Sequence, residues 1–176
     1  MMSNIILIGP VGTGKSTLAD ILSQQLGRPR CCVDDVRWKF YEELGYSKDK
    51  ERVIRSNFGF EGVYKYWKPF EAHAVVRIVQ EYKDHVIDFG GGHSVYEDPT
   101  LFSIIEHVLQ DEKNIFLILP SQDQAESLRI LNERESLDIN THFVEHESNY
   151  ILAKHIIYTK DKTPHESAEE IISLVC

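Results

Sequence analysis

Residues 9–16 read Gly9-Pro10-Val11-Gly12-Thr13-Gly14-Lys15-Ser16, the G-x-x-x-x-G-K-[ST] pattern of a loop whose backbone N–H groups wrap phosphate oxygens. Its surroundings make the pattern specific. Ile5-Ile6-Leu7-Ile8 before it reads as a short buried strand, and the run from Thr17 to Leu26 places Leu18, Ile21, Leu22 and Leu26 on one helical face. Strand, loop and helix arrive in the order a phosphate cradle requires, which a chance glycine-rich turn does not explain. Glycines at 9, 12 and 14 admit backbone angles closed to other residues, so N–H groups along Gly9, Val11, Gly12, Thr13 and Gly14 can converge on an anion at the positive end of the helix. Lys15 is expected to reach the β- and γ-phosphates, Ser16 to offer its hydroxyl to Mg2+, and Thr17 to touch the α-phosphate.

With 176 residues, 42% hydrophobic and 27% charged, the chain suits one globular domain that buries about 70% of its unfolded surface. A formal net charge of −9 argues against a nucleic-acid surface, which needs clustered Lys and Arg. Met1-Met2-Ser3-Asn4 carries no charged leader region, and the first apolar run belongs to the strand, so neither a secretion signal nor a membrane span is expected. Cys31, Cys32 and Cys176 make an odd count and read as reduced thiols of a cytoplasmic protein, the adjacent pair fitting buried strand positions better than a redox switch. Eight histidines show no H-E-x-x-H or Cys/His spacing, so no zinc is assigned.

Strand-like and helix-like runs alternate along the whole chain. Arg30–Val33, His85–Phe89, Asn114–Leu119 and Lys154–Thr159 read as four further strands. A long helical region from about Val36 to Lys83 is expected to break near Gly45, Gly59, Gly62 and Pro69. Helices are expected over Pro99–Gln110, Gln122–Glu133 and Phe143–Ala153, and Thr163-Pro164-His165-Glu166 opens a terminal one with a capping signature. Such alternation predicts an α/β fold with a five-stranded parallel sheet covered on both faces, its ligands at the carboxyl ends of the strands.

Asp34 and Asp35 follow the second strand and Asp88 closes the third, places where a carboxylate can hold Mg2+ or accept a proton from a hydroxyl. Asp34, Asp35 and Asp88 are therefore catalytic candidates, with Asp34 and Asp88 also candidate metal ligands. On an extended chain, adjacent acids point to opposite sides, so Asp34 and Asp35 are expected to serve different roles. Gly90-Gly91-Gly92 after the third strand implies that something approaches the backbone closely, a flexible loop being the plainer alternative. His93, next in line, is expected to face an acceptor.

These residues together resemble shikimate kinase and its relatives among small P-loop metabolite kinases. The resemblance implies a three-layer α/β/α P-loop kinase fold in one domain over 1–176, with a helical acceptor-binding segment at about 36–83 and a short lid at about 133–142. It implies ATP and Mg2+ as cofactors and a small molecule as partner, in a monomer or homodimer. In that family an Asp-x-Asp element serves Mg2+ and the substrate hydroxyl; here the stretch is Val33-Asp34-Asp35-Val36, so both roles stay open between the acids. Gly90–Gly92 match the family's substrate-binding glycines, and Arg129, ten residues after Leu119, matches its adenine-packing arginine.

Departures fall on the acceptor contacts. The family's Phe-Arg-x-x-Glu, whose arginine grips the shikimate carboxylate, is Trp67-Lys68-Pro69-Phe70-Glu71, a point charge in place of a fork. The second expected arginine is His146, and the lid offers Arg134 within Asn132-Glu133-Arg134-Glu135. The expectation is a kinase acting on a hydroxyl of a small metabolite other than shikimate, with Lys15 and Arg134 neutralising the transferring group. Two alternatives stand beside it. Asp34-x-x-Arg37 resembles the acceptor-binding pair of adenylate-kinase-like enzymes, and a nucleotide switch without an acceptor fits the altered substrate elements.

Overall fold

The fold follows from a strand that must be buried on both faces. In the computed structural model, which describes residues 3–175, the run Ile5–Ile8 forms β1 with all four side chains fully buried. Alternation sends Ile6 and Ile8 to one core and Ile5 and Leu7 to the other. Such a strand belongs at the centre of a parallel sheet, and β1 lies there.

The remaining elements in chain order are α1 (Lys15–Leu26), β2 (Arg30–Cys32), α2 (Val33–Glu43), α3 (Lys48–Glu81), β3 (Val86–Asp88), α4 (Pro99–Leu109), β4 (Asn114–Leu119), α5 (Gln124–Arg134), α6 (Ile139–Glu145), α7 (Glu147–Leu152), β5 (His155–Tyr158) and α8 (Pro164–Leu174). The strands pair in the order β2-β3-β1-β4-β5, every pairing parallel. Leu18 and Leu22 of α1 and Ile171 of α8 pack on the Ile5–Leu7 face. Phe40 of α2, Ile78 of α3 and Ile105 of α4 pack on the other, which completes three layers. β3 ends one residue short of β1, with Asp88 opposite Leu7, while β4 runs on to Leu119, so the loops after β1 and β3 meet on one edge.

Four local expectations need correction. Val33 opens α2 rather than closing β2, so Asp34 and Asp35 lie in the first turn of a helix, where acidic side chains suit the positive end of the dipole. Only Gly45 and Gly59 interrupt the long helical region. Gly45 follows α2 at φ 72°, and Gly59 kinks α3 at φ 62°, ψ −156°. Gly62 and Pro69 lie within α3; a Cβ at Gly62 would stand 2.5 Å from that of Phe58, so this glycine permits close packing across the kink. The helix expected over Phe143–Ala153 divides at His146, whose ψ of 128° ends α6 and begins α7.

Thr163 and Glu166 close the capping box at the start of α8, Thr163 Oγ1 accepting from Glu166 N at 3.2 Å and Glu166 Oε2 from Thr163 N at 2.7 Å. Cys31 and Cys32 are free thiols; Cys176, Met1 and Met2 lie outside the described residues. Among the described residues no helix is long and apolar enough to cross a membrane.

Candidate active site

The loop between β1 and α1 takes its shape from its glycines, with φ of 131° at Gly9, 81° at Gly12 and 91° at Gly14. A Cβ on Gly9 would also lie 2.6 Å from the Ile118 carbonyl oxygen, so the loop is seated against β4 as no other residue allows. Thr13 Oγ1 donates to Pro10 O at 3.1 Å and stiffens the turn. Asn140 of α6 pins Val11 from outside, its Oδ1 accepting from Val11 N at 3.0 Å and its Nδ2 donating to Val11 O at 3.1 Å.

Lys15 folds back over the loop, its Nζ donating to Gly9 O at 2.8 Å and Pro10 O at 2.6 Å. Burial pushes its ammonium down to about 8 from an ordinary 10.5, against the opposing pull of Asp34 and Asp88. Ser16 Oγ donates to Asp88 Oδ2 at 3.0 Å. The loop forms one wall of a cavity of about 330 Å3, with Asp34, Asp88, Gly90 and Gly91 on the other.

Asp34 and Asp35 separate by environment. Asp34 lines the cavity and pairs with Arg37, its Oδ1 3.2 Å from Nη1, while Asp35 is exposed and outside the lining. Arg37 stacks on Trp38, 4.6 Å from the ring centroid, which holds the guanidinium beside Asp34. Asp88 is 3% exposed and accepts from Arg30 as well as Ser16. Arg30 was absent from the sequence-derived site; its signal is a long charged side chain inside an otherwise apolar strand.

Each of the three glycines makes room for a different group, and none has a positive φ. A Cβ on Gly90 would lie 2.7 Å from Asp34 Oδ1, on Gly91 2.9 Å from Val11 Cγ2 and 3.0 Å from Phe143 Cε2, and on Gly92 3.0 Å from Glu71 Oε1. The close approach expected at this segment is thus made by the protein's own side chains.

Three candidates lie elsewhere than the sequence suggested. His93 is buried beneath Gly90, does not line the cavity, and places Nε2 3.5 Å from the Tyr41 hydroxyl; its burial lowers its pKa. Lys68 is 5% exposed, lies 2.6 Å from Glu71 Oε2, and donates to Gly92 O at 2.8 Å and Val95 O at 3.0 Å. Its charge is therefore already matched, because a buried ammonium needs partners to offset desolvation. Arg129 is exposed, pairs with Glu133 and takes no part in the groove beside the loop. Arg134 does line that groove, with Thr13, Thr17 and Thr159, and donates to Gly12 O at 2.8 Å.

Ser16 Oγ and Asp88, a hydroxyl and a carboxylate at the foot of the phosphate loop, are oxygen donors of the kind Mg2+ takes. Asp34, across the cavity, adds a second carboxylate free of the Arg30 fork.

Known proteins match this chain in sequence and in fold. The shikimate kinase family model matches residues 11–176. A shikimate kinase of Bacillus licheniformis is 22% identical over 179 residues, covering 98% of this chain and 93% of its own. Among solved structures, shikimate kinase from Acinetobacter baumannii in complex with shikimate aligns with a TM-score of 0.66 at 17% identity, over 99% of this chain and 93% of that one. Shikimate kinase from Aquifex aeolicus gives 0.62 at 24% identity, over 97% and 94%. The family match, spanning all but the first ten residues, establishes that this chain belongs to the shikimate kinase family, ATP-using kinases that phosphorylate an alcohol.

Proposed function

We propose that this chain moves the γ-phosphate of ATP to a hydroxyl of a small metabolite other than shikimate. The observation that carries the reading is Asp34: a carboxylate facing Lys15 and Ser16 across the cavity, with Gly90 leaving room beside it. The loop N–H groups and Lys15 hold the phosphates, and Lys15 must leave the Gly9 and Pro10 carbonyls to do so. Asp34 orients the acceptor hydroxyl and takes its proton, a role favoured by its exposure to the cavity. Ser16, Asp88 and Asp34 are the groups that would hold Mg2+, which when bound neutralises charge on the phosphates. Arg134 stands beside the loop as the lid cation, and the reaction is catalysed mainly by positioning.

Acceptor identity follows from which cations are available. Lys68 is matched by Glu71 and two carbonyls, which supports an acceptor without a carboxylate at that point, such as a polyol or sugar. A nucleoside monophosphate is disfavoured: Arg52 pairs with Asp49, Arg55 pairs with Glu51, and neither lines a described cavity.

The test is ADP release from Mg-ATP with polyols, sugars, sugar acids, shikimate and nucleoside monophosphates, with Lys15→Ala as blank. Stimulation by a neutral polyol or sugar, and none by shikimate, is expected. Strong stimulation by shikimate would overturn the acceptor assignment; absence of stimulation by every acceptor would favour a nucleotide switch.

A further inference from the structure

A second cavity, of about 440 Å3, lies between α3 and the segment after the triple glycine and shares no lining residue with the phosphate cavity. Tyr64, Pro69, Tyr96 and Leu101 give it apolar walls. At its mouth the fold assembles three groups that are far apart in sequence: Glu97 from the loop before α4, His142 from α6, and His146 from the joint of α6 and α7. One ligand atom of each lies within 4.8 Å of the others.

From this juxtaposition we propose that Glu97, His142 and His146 form a binding site for a first-row divalent transition ion of the Zn2+ type, separate from the Mg-nucleotide site. Two imidazoles and one carboxylate are a donor set that such ions prefer over Mg2+, which seeks oxygen alone. The histidines are four residues apart, so the end of α6 presents both rings on one side, with centroids 4.9 Å apart. Tyr64 donates to Glu97 Oε1 at 2.9 Å, the same oxygen that His142 contacts, and so helps to orient the carboxylate. Around the cavity Lys65 is paired with Glu61 and Lys68 with Glu71, and Asp98 adds a further negative charge. Three protein ligands would leave a fourth position for water or an incoming ligand.

Two contacts are given up on ligation. His142 Nε2 now shares a hydrogen bond with Glu97 Oε1, and the ion would replace it. His146 Nδ1 accepts from Ser148 N at 3.2 Å, and this bond is lost whichever ring nitrogen ligates, because ligation at Nε2 moves the proton to Nδ1. The ion would gain a staple in return. α6 carries Asn140, which clamps Val11, and Phe143, which abuts Gly91, so joining α6 to Glu97 ties the phosphate loop to the segment after the triple glycine.

Metal-stripped protein titrated with Zn2+ by calorimetry, and with Co2+ by visible absorption, tests the assignment. Binding of one ion per chain is expected, weakened at least about tenfold in Glu97→Gln, His142→Ala and His146→Ala, and unchanged in excess Mg2+ and in the exposed-site control His165→Ala. Glu97→Gln is conservative at an exposed residue, so a thermal melt in chelator should match wild type and keep the comparison sound. Absence of saturable binding, displacement of the ion by excess Mg2+, or equal affinity in Glu97→Gln and both histidine variants would overturn it and leave a hydrogen-bonded cluster only.

Discussion

Arg30 grips Asp88 through two parallel hydrogen bonds, Nε to Oδ1 at 3.0 Å and Nη2 to Oδ2 at 2.9 Å, while Ser16 takes the same Oδ2. β2 and β3 run parallel with Cys32 opposite Asp88, so the guanidinium reaches forward from two residues earlier to the end of its neighbour. A carboxylate held this way reaches a metal chiefly through Ser16 or water, since direct ligation competes with a bidentate fork.

Removing the fork should therefore change stability and metal dependence in opposite senses. Arg30→Ala leaves Asp88 buried without its cation and is expected to cost about 2–4 kcal/mol of stability, the partial exposure of Arg30 keeping it below the fully buried case. The freed carboxylate should lower the Mg2+ concentration for half-maximal ADP release. Thermal melts and a Mg2+ titration check both, and an unchanged Tm would show that the fork does not stabilise the fold.

Gly90 and Gly91 should respond differently to the same added methyl. In Gly90→Ala the new Cβ meets both Asp34 Oδ1 at 2.7 Å and the buried His93 Nδ1 at 2.8 Å, so about 1–3 kcal/mol of stability should be lost and kcat should also fall about 10²-fold through displacement of the Asp34 carboxylate. In Gly91→Ala it meets Val11 and the ring of Phe143, both packed, and about 1–3 kcal/mol of stability should be lost. Melting curves beside kcat for the two variants separate the cases.

The sequence carried the sheet, the phosphate loop and the acids after β2 and β3, because strand burial and glycine geometry are local. What it did not carry depends on distant partners. Lys68 reads as an acceptor cation until Glu71, one turn along α3, and the Gly92 and Val95 carbonyls, brought by a loop more than twenty residues later, are seen to claim it. Arg30 reads as a strand residue because Asp88 is its neighbour only in the folded sheet. Asp34 and Asp35 read as an extended pair because a helix that begins directly at a strand end has no connecting turn to mark it. Glu97 and the 142/146 histidines are far apart in the chain, so no spacing rule joins them.

If Lys68 is structural, its loss should appear first in stability. Lys68→Met strands the 3% exposed Glu71 and is expected to cost about 3–5 kcal/mol, and the double variant Lys68→Met, Glu71→Leu should recover much of it because the uncompensated charge is gone. Urea unfolding of the single and double variants measures this. A Lys68→Met protein as stable as wild type but with a raised KM for the acceptor would instead return Lys68 to the substrate site.

Arg134 should separate chemistry from binding. Its bond to Gly12 O is exposed, so Arg134→Ala should alter stability little, within about 0.5 kcal/mol. If Arg134 is the cation proposed above to neutralise the transferring group, its loss should lower kcat by about 10³-fold or more with little change in KM for ATP. A kcat close to wild type would remove Arg134 from the mechanism.

The ammonium of Lys15 sets a pH dependence with a definite sign. In the folded chain it titrates near 8, lowered by burial, and in the unfolded chain near 10.5. Between those values the unfolded state binds the extra proton, so Lys15 contributes stability that grows as pH rises from about 8 toward 10.5. Nucleotide binding reverses the balance. Phosphate charge beside Nζ favours the ammonium, so above pH 8 ATP must bind together with a proton, and its affinity should fall as pH rises. Calorimetry at pH 8.5 in two buffers of different ionisation enthalpy should therefore report proton uptake on ATP binding in wild type, and markedly less in Lys15→Met. Equal uptake in both proteins would place the titrating group elsewhere.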